Sequence, residues 1–335
     1  MDGINFFSKS RYLHLPSANN PRVSLVIDTK EDALNAFKLY NPFSVKAKVF
    51  KKVAAFFFIN FNAIFKHLFV VERTQKSEFI AFIEKKLKCE LHASVYNATA
   101  KDKVVLQLQS KNKIVGYLKF PLNKEGIVNI KNEANAIALL SKRGIIAPAL
   151  MTGEYKETPF LILPELKGRI TTIHDEDIDA ILGGLRKEQK YKLESHPRVH
   201  DLKKEIQKLK LPKEYQLIFD ILLQNSKESY HETYEHGDFA PWNIIKTNTG
   251  FIPFDFEFFV EDGIDYFDAI KYHFQVGRLL KNKSCNALLT YIYSKIKPVE
   301  PEIIVSLFLF KEIIALSKLD KDYSFEEQML RYING

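Results

Sequence analysis

His236-Gly237-Asp238-Phe239-Ala240-Pro241-Trp242-Asn243, followed shortly by Asp255-Phe256-Glu257, is the stretch on which the reading of this chain turns. Phosphoryl transfer needs little from a protein: a carboxylate that orients or deprotonates an acceptor hydroxyl, and oxygen ligands for the cation that neutralises the phosphates. An Asp, an Asn a few residues on, and a second Asp beyond a short strand pair meet that need. A loop from Asp238 to Asn243 lets the Asp face an acceptor while the amide oxygen of Asn243 turns back toward Mg²⁺, a hard cation that takes oxygen ligands. Asn243-Ile244-Ile245 and Phe251-Ile252-Pro253-Phe254 flank Thr247-Asn248-Thr249-Gly250 and predict a tight hairpin that returns the chain to Asp255 beside the same cation.

Upstream, the chain changes character twice. Leu91–Tyr96, Val104–Leu108 and Ile114–Phe120 are rich in β-branched and aromatic residues and predict a small antiparallel sheet. Asn129–Leu140 carries alanine and leucine at helical spacing, with Gly144 as a helix stop, and Phe160-Leu161-Ile162-Leu163 predicts a further buried strand. Downstream, Asp175–Gln189, Val199–Leu209, Lys213–Tyr230, Tyr266–Lys281, Pro301–Ser317 and Phe325–Tyr332 show apolar periodicity of helices. A β-rich lobe followed by a helical one leaves a cleft suited to a nucleotide.

His-Gly-Asp-x-x-x-x-Asn at 236–243 and Asp-Phe-Glu at 255–257 resemble the motifs of the aminoglycoside phosphotransferase and choline kinase superfamily, where protein kinases carry His-Arg-Asp and Asp-Phe-Gly. The resemblance covers roughly residues 90–300. It implies an α+β, bilobal protein-kinase-like fold: a small antiparallel-sheet N-lobe at 91–166 and a mainly helical C-lobe at 167–335. Outside the resemblance, residues 1–90 read as a partly helical N-terminal extension. The resemblance also implies ATP and Mg²⁺ as cofactors, Asp238 as catalytic base, and Asn243 and Asp255 as metal ligands, with Glu257 as a further metal or supporting contact. Lys119, at the end of the third strand, stands where the family places the lysine that touches the α and β phosphates. Glu133 on the following helix stands at its ion-pair partner, with Glu125 as the alternative. Pro164-Glu165-Leu166 and the adjoining Lys167-Gly168 form the expected hinge, whose backbone reads the adenine edge. Asp268 and His236 are scaffold for the catalytic loop.

Two features depart from the protein-kinase pattern. Gly237 replaces the arginine, which favours the branch acting on small molecules. No glycine occurs in Asn97-Ala98-Thr99-Ala100-Lys101-Asp102-Lys103, where protein kinases place a glycine-rich loop; Lys101 and Lys103 are expected to face water there.

Composition sets the remaining bounds. The chain of 335 residues exceeds most single cores and predicts two lobes or domains. Its 2 cysteines, Cys89 and Cys285, have no metal-site spacing and exclude a disulfide framework. The start, Met1-Asp2-Gly3-Ile4-Asn5-Phe6-Phe7, lacks the features of a signal peptide, so a cytoplasmic location is expected. A net charge of +8 fits a phosphorylated substrate, an anionic membrane or a lysine-rich surface. Charge alone, without a motif, does not make a nucleic-acid binder.

The acceptor is expected to be a small-molecule hydroxyl, on a sugar or glycan-related compound, with an aminoglycoside or an amino alcohol of choline or homoserine type as the alternative. Glu261, Asp262 and Asp265 would suit a polycation, whereas the basic chain argues against one. An inactive kinase-like binding module is the rival from another class; retention of Lys119, Asp238, Asn243 and Asp255 speaks against it. A protein kinase is disfavoured by the short connection from Asp255 to Asp268. In the extension, Arg11–Pro16 and Asn41–Ser44 look like turns. Lysines 46, 48, 51 and 52 lead into an aromatic run ending at Val71, which predicts a helix packed on the lobes. The alternative is peripheral contact of 46–71 with the inner face of a membrane.

Overall fold

The computed structural model describes residues 4–17, 19–40, 45–68, 70–97, 102–171 and 173–335. The turn expected at Asn41–Ser44, the start of the chain at Met1–Gly3, and Ala98–Lys101 of the first strand connection lie outside the described residues or begin there. The chain divides into two compact units, Met1–Leu166 and Lys167–Gly335.

The first unit contains β1 (Ser10–Leu15), β2 (Val23–Val26), α1 (Lys30–Leu39), α2 (Val45–Asn60), α3 (Asn62–Phe65), β3 (Val71–Arg73), α4 (Glu78–Leu87), β4 (His92–Asn97), β5 (Lys103–Ser110), β6 (Lys113–Pro121), α5 (Lys124–Lys142), β7 (Met151–Tyr155) and β8 (Thr158–Leu163). Its strands pair antiparallel in the order β3-β1-β2-β4-β5-β6-β8-β7. Within it, β4, β5 and β6 form a meander, α5 follows, and the hairpin β7-β8 returns with β8 beside β6. That order of strands and helix is the protein-kinase-like one.

Strand alternation decides which residues meet which helix. Leu106, Leu108, Leu118, Phe120, Phe160 and Ile162 form one core with Phe79, Ile80 and Ile83 of α4. The residues between them point the other way, where Leu161 meets Ile130 and Ile137 of α5, and Gln107 donates to the Asn35 carbonyl of α1 at 3.0 Å. Lys119, between Leu118 and Phe120, therefore faces α5. The sheet is larger than expected: Arg11–Pro16 is not a turn, because Ser10–Leu15 is strand β1. Tyr12, fully buried, gives its hydroxyl to the Ala93 carbonyl at 3.1 Å. Pro16 marks the end of that strand and not a turn within it.

The second unit contains α6 (Asp175–Leu185), β9 (Arg186–Lys192), α7 (Pro197–Lys208), α8 (Lys213–Asn225), β10 (Ser229–Glu235), β11 (Ile244–Thr247), β12 (Gly250–Pro253), β13 (Val260–Ile264), α9 (Phe267–Gln275), α10 (Cys285–Lys295), α11 (Pro301–Lys318) and α12 (Ser324–Asn334). Apolar residues surround α11 on every side, so it is the central helix, with Val305, Phe308 and Phe310 packed among Phe219, Ile270, Phe274, Leu288 and Met329. Two expected helices are too long. Gly183-Gly184 weaken the first, which ends at Leu185, and the lysine-rich Arg186–Lys192 becomes an edge strand. The other ends at Asn225, and Ser229–Glu235, with its alternating tyrosines, pairs with β9 and β13.

Candidate active site

In the second unit β10 delivers Glu235 and then His236 to the motif loop. His236 is fully buried, with its ring 4.4 Å from that of Phe256. Its Nε2 lies 2.9 Å from the Phe254 carbonyl, and its Nδ1 lies 3.4 Å from the Asp238 backbone nitrogen. A carbonyl only accepts, so Nε2 carries the proton and Nδ1 accepts from Asp238. Burial lowers the imidazole pKa, which keeps the ring neutral and suits that double role. One side chain thus ties the loop to the strand end that precedes Asp255.

Asp268, at the start of α9, holds the loop from beneath. Its Oδ2 accepts the His236 N–H at 2.6 Å and its Oδ1 the Gly237 N–H at 3.1 Å. Between these anchors the chain turns sharply. Gly237 has φ +84°, and a Cβ there would stand 2.1 Å from the Phe258 carbonyl oxygen. Glycine is required at 237 by both conformation and space. This steric demand explains the glycine without reference to any substrate.

Asp238 and Asn243 are brought together directly. The Asn243 amide nitrogen donates to the Asp238 carboxylate at 3.0 Å and to its carbonyl at 2.9 Å. With Nδ2 so engaged, the amide oxygen is the group Asn243 has left for a cation, and Asp238 remains half-buried with one carboxylate oxygen outside that bond. β11 and β12 pair from Ile244↔Pro253 to Thr247↔Gly250, the hairpin predicted, and the Phe254 N–H bonds the Asn243 carbonyl at 2.9 Å. Asp255 follows with φ +68°, a left-handed conformation that Asp tolerates better than most residues. Glu257 lies half-buried in the next turn. Carboxylate and amide oxygens are hard donors of the kind Mg²⁺ takes.

Sequence reading missed the charges beneath this loop. Glu235, fully buried, has a carboxylate oxygen 2.7 Å from the Lys311 ammonium of α11. Lys311 also reaches the Gly237 carbonyl at 3.4 Å and Glu312 at 3.8 Å, while Glu312 pairs with Lys271 of α9 at 2.6 Å. Burial alone would raise the Glu235 pKa, but Lys311, together with the charges of Arg198 and Lys271, outweighs it and holds the carboxyl below its ordinary value. For Asp268, burial and then the Glu235 charge push the carboxyl up to about 7. A signal was present: Lys311-Glu312 interrupts an apolar run from Leu307 to Ile314. Charges at the centre of a buried helix must be paired.

The first unit brings together Lys119 and Glu133. The Lys119 ammonium lies 2.7 Å from each Glu133 oxygen, and both side chains are buried. Glu125, the alternative, occupies the first turn of α5 instead. Pro164, Glu165 and Leu166 run half-buried beyond β8, and Glu165 lies 3.7 Å from Lys38 of α1. Lys103, expected to face water, is buried at the start of β5. Asp265 is paired with Arg186 at 2.9 Å.

No protein-family model matches this chain, and no curated protein does. Similar solved structures do exist. An amicoumacin kinase in complex with AMP-PNP and Ca²⁺ is 14% identical, over 76% of this chain and 91% of that one, with a TM-score of 0.45. A macrolide 2′-phosphotransferase of type I is 13% identical over 76% and 94%, with a TM-score of 0.47. A choline kinase from Streptococcus pneumoniae is 12% identical over 77% and 98%, also at 0.47. Likeness this distant leaves the chemistry to be read from the side chains.

Proposed function

We propose that the chain is a small-molecule kinase that moves the γ-phosphate of ATP to an acceptor hydroxyl with Mg²⁺. The observation that carries this reading is the Asp238–Asn243 pair: a carboxylate fixed by an amide whose own oxygen stays available, in a loop pinned by Asp268 and His236 and followed by Asp255. Asp238 orients the acceptor hydroxyl and takes its proton. Asn243 and Asp255 would hold the Mg²⁺, which neutralises phosphate charge when bound. Lys119, fixed by Glu133, binds the α and β phosphates, and the backbone of Pro164-Glu165-Leu166 reads the adenine edge. Glu257 supports the metal side.

The acceptor in this reading is a sugar or glycan-related hydroxyl. Two observations favour it over a polycationic acceptor: the net charge of +8, and the engagement of Asp265 by Arg186. The test is ADP release with Mg²⁺-ATP against sugars, sugar phosphates, amino alcohols and aminoglycosides. Turnover with the sugar set is expected. Turnover confined to aminoglycosides would overturn the acceptor assignment, and nucleotide binding unaffected by both Lys119→Ala and Asp255→Ala would overturn the site.

A further inference from the structure

Residues 45–71 contain Lys46, Lys48, Lys51, Lys52 and Lys66 and no acidic residue. The structure divides this segment by face. Phe58 of α2 is buried in the core that α1 and β2 share, with Ala54, Ala55 and Ile59 packed beside it. Asn62 then fastens the following turn by donating to the Ile27 carbonyl at 2.9 Å. The opposite side of α2 carries Val49, Phe50, Val53, Phe56 and Phe57, all exposed, and Phe61, Ile64 and Leu68 continue it.

These exposed positions are not scattered. Residues 49, 53 and 56 form one row at helical spacing, and residues 46, 50, 53 and 57 form the adjacent row. The rows share an apolar strip, half of it aromatic, with the ring of Phe57 stacked on that of Phe65 at 4.9 Å. Lys46 enters the strip at its start, and Lys48 and Lys52 flank it, exposed. Lys51 turns inward, and its burial lowers its pKa, so it is not part of the outward charge. Single exposed apolar residues are ordinary, whereas a contiguous strip along one segment marks an interaction surface.

We infer that this face of α2 docks on an anionic lipid bilayer. Charge decides the occupant. A second copy would set lysines against lysines, with no carboxylate in the segment to answer them. A bilayer accepts phenylalanine and valine among its acyl chains while the flanking lysines reach its phosphate groups. No helix among the described residues is long and apolar enough to cross a membrane, so the contact is one that rests on the surface. It does not depend on the kinase reading.

The test is co-sedimentation of the full chain with vesicles of phosphatidylcholine alone and of phosphatidylcholine mixed with phosphatidylglycerol. The wild type is expected to pellet with the mixed vesicles and to leave them at high salt. Each lysine near an anionic surface strengthens binding about fivefold, so Lys46→Gln/Lys52→Gln should weaken it by about 25-fold. Val53→Asp/Phe56→Asp should abolish binding; both positions are exposed, and thermal unfolding checks that the variant still folds. If it does not, the lysine variant still decides the matter. Failure of the wild type to pellet, equal binding to neutral vesicles, or self-association that Val53→Asp/Phe56→Asp dissolves would each overturn the inference.

Discussion

Two buried lysines in this protein make the same first contact and are used differently. Lys119 and Lys311 each sit 2.7 Å from a buried glutamate oxygen. Lys119 receives both oxygens of one carboxylate, from the helix beside its strand, and the result is a fixed ammonium. Lys311 instead spans Glu235, Glu312 and the Gly237 carbonyl, with Asp268 nearby holding two backbone N–H groups of the same turn. One pair fixes a side chain; the other fixes a stretch of backbone. A buried ion pair has no single meaning, and its partners show which group it serves.

The largest effect should come from breaking the second arrangement. Lys311→Met would leave Glu235 buried without its counter-charge, a loss of about 3–5 kcal/mol in denaturant unfolding. A loss well under that would mean that Lys271 takes over and that the network is less specific than its distances indicate. Gly237→Ala comes next: the added methyl meets the Phe258 backbone, and strain of about 1–3 kcal/mol is expected along with lost turnover. In the first unit, Glu133→Gln keeps shape and one hydrogen bond. It should cost about 1–3 kcal/mol and raise the KM for ATP, because the change falls on the ammonium and not on a loop. An unchanged KM there would erase the contrast between the two lysines.

The smallest effect sharpens the comparison through pH. The Asp268 carboxyl rises from 3.8 to about 7 on folding, so between those values the folded chain holds a proton that the unfolded chain has lost. Its contribution to stability is present at low pH and disappears as pH rises through about 7. Melting temperatures of the wild type should therefore fall more steeply from pH 5 toward pH 7 than those of Asp268→Asn, within about one Asp's share of the linkage. Parallel profiles would show that Asp268 is ionised throughout.

What was legible beforehand follows from the same contrast. Lys119 and Glu133 could be paired in advance because a strand-then-helix order before a recognisable Asp loop gives each a place. The hairpin could be read because Thr-Asn-Thr-Gly stands between two apolar segments. Glu235, Lys271, Lys311 and Glu312 escaped because charged residues are ordinarily solvated, and only a tertiary partner reveals otherwise. Strands β9 and β10 escaped because their polar sequences, lysine-rich in β9, take their conformation from each other and not from intrinsic preference. The same holds for β1, whose Tyr12 is placed by a carbonyl on β4, far along the chain.

The central claim is that Asp238 does chemistry in a loop built to hold it. It is tested most directly by Mg²⁺-ATP turnover of Asp238→Ala beside the wild type, with folding of both checked by thermal unfolding. Removal of a general base predicts a fall of about 10²–10⁴-fold in kcat at a near-unchanged melting temperature. Turnover equal to that of the wild type would contradict the account.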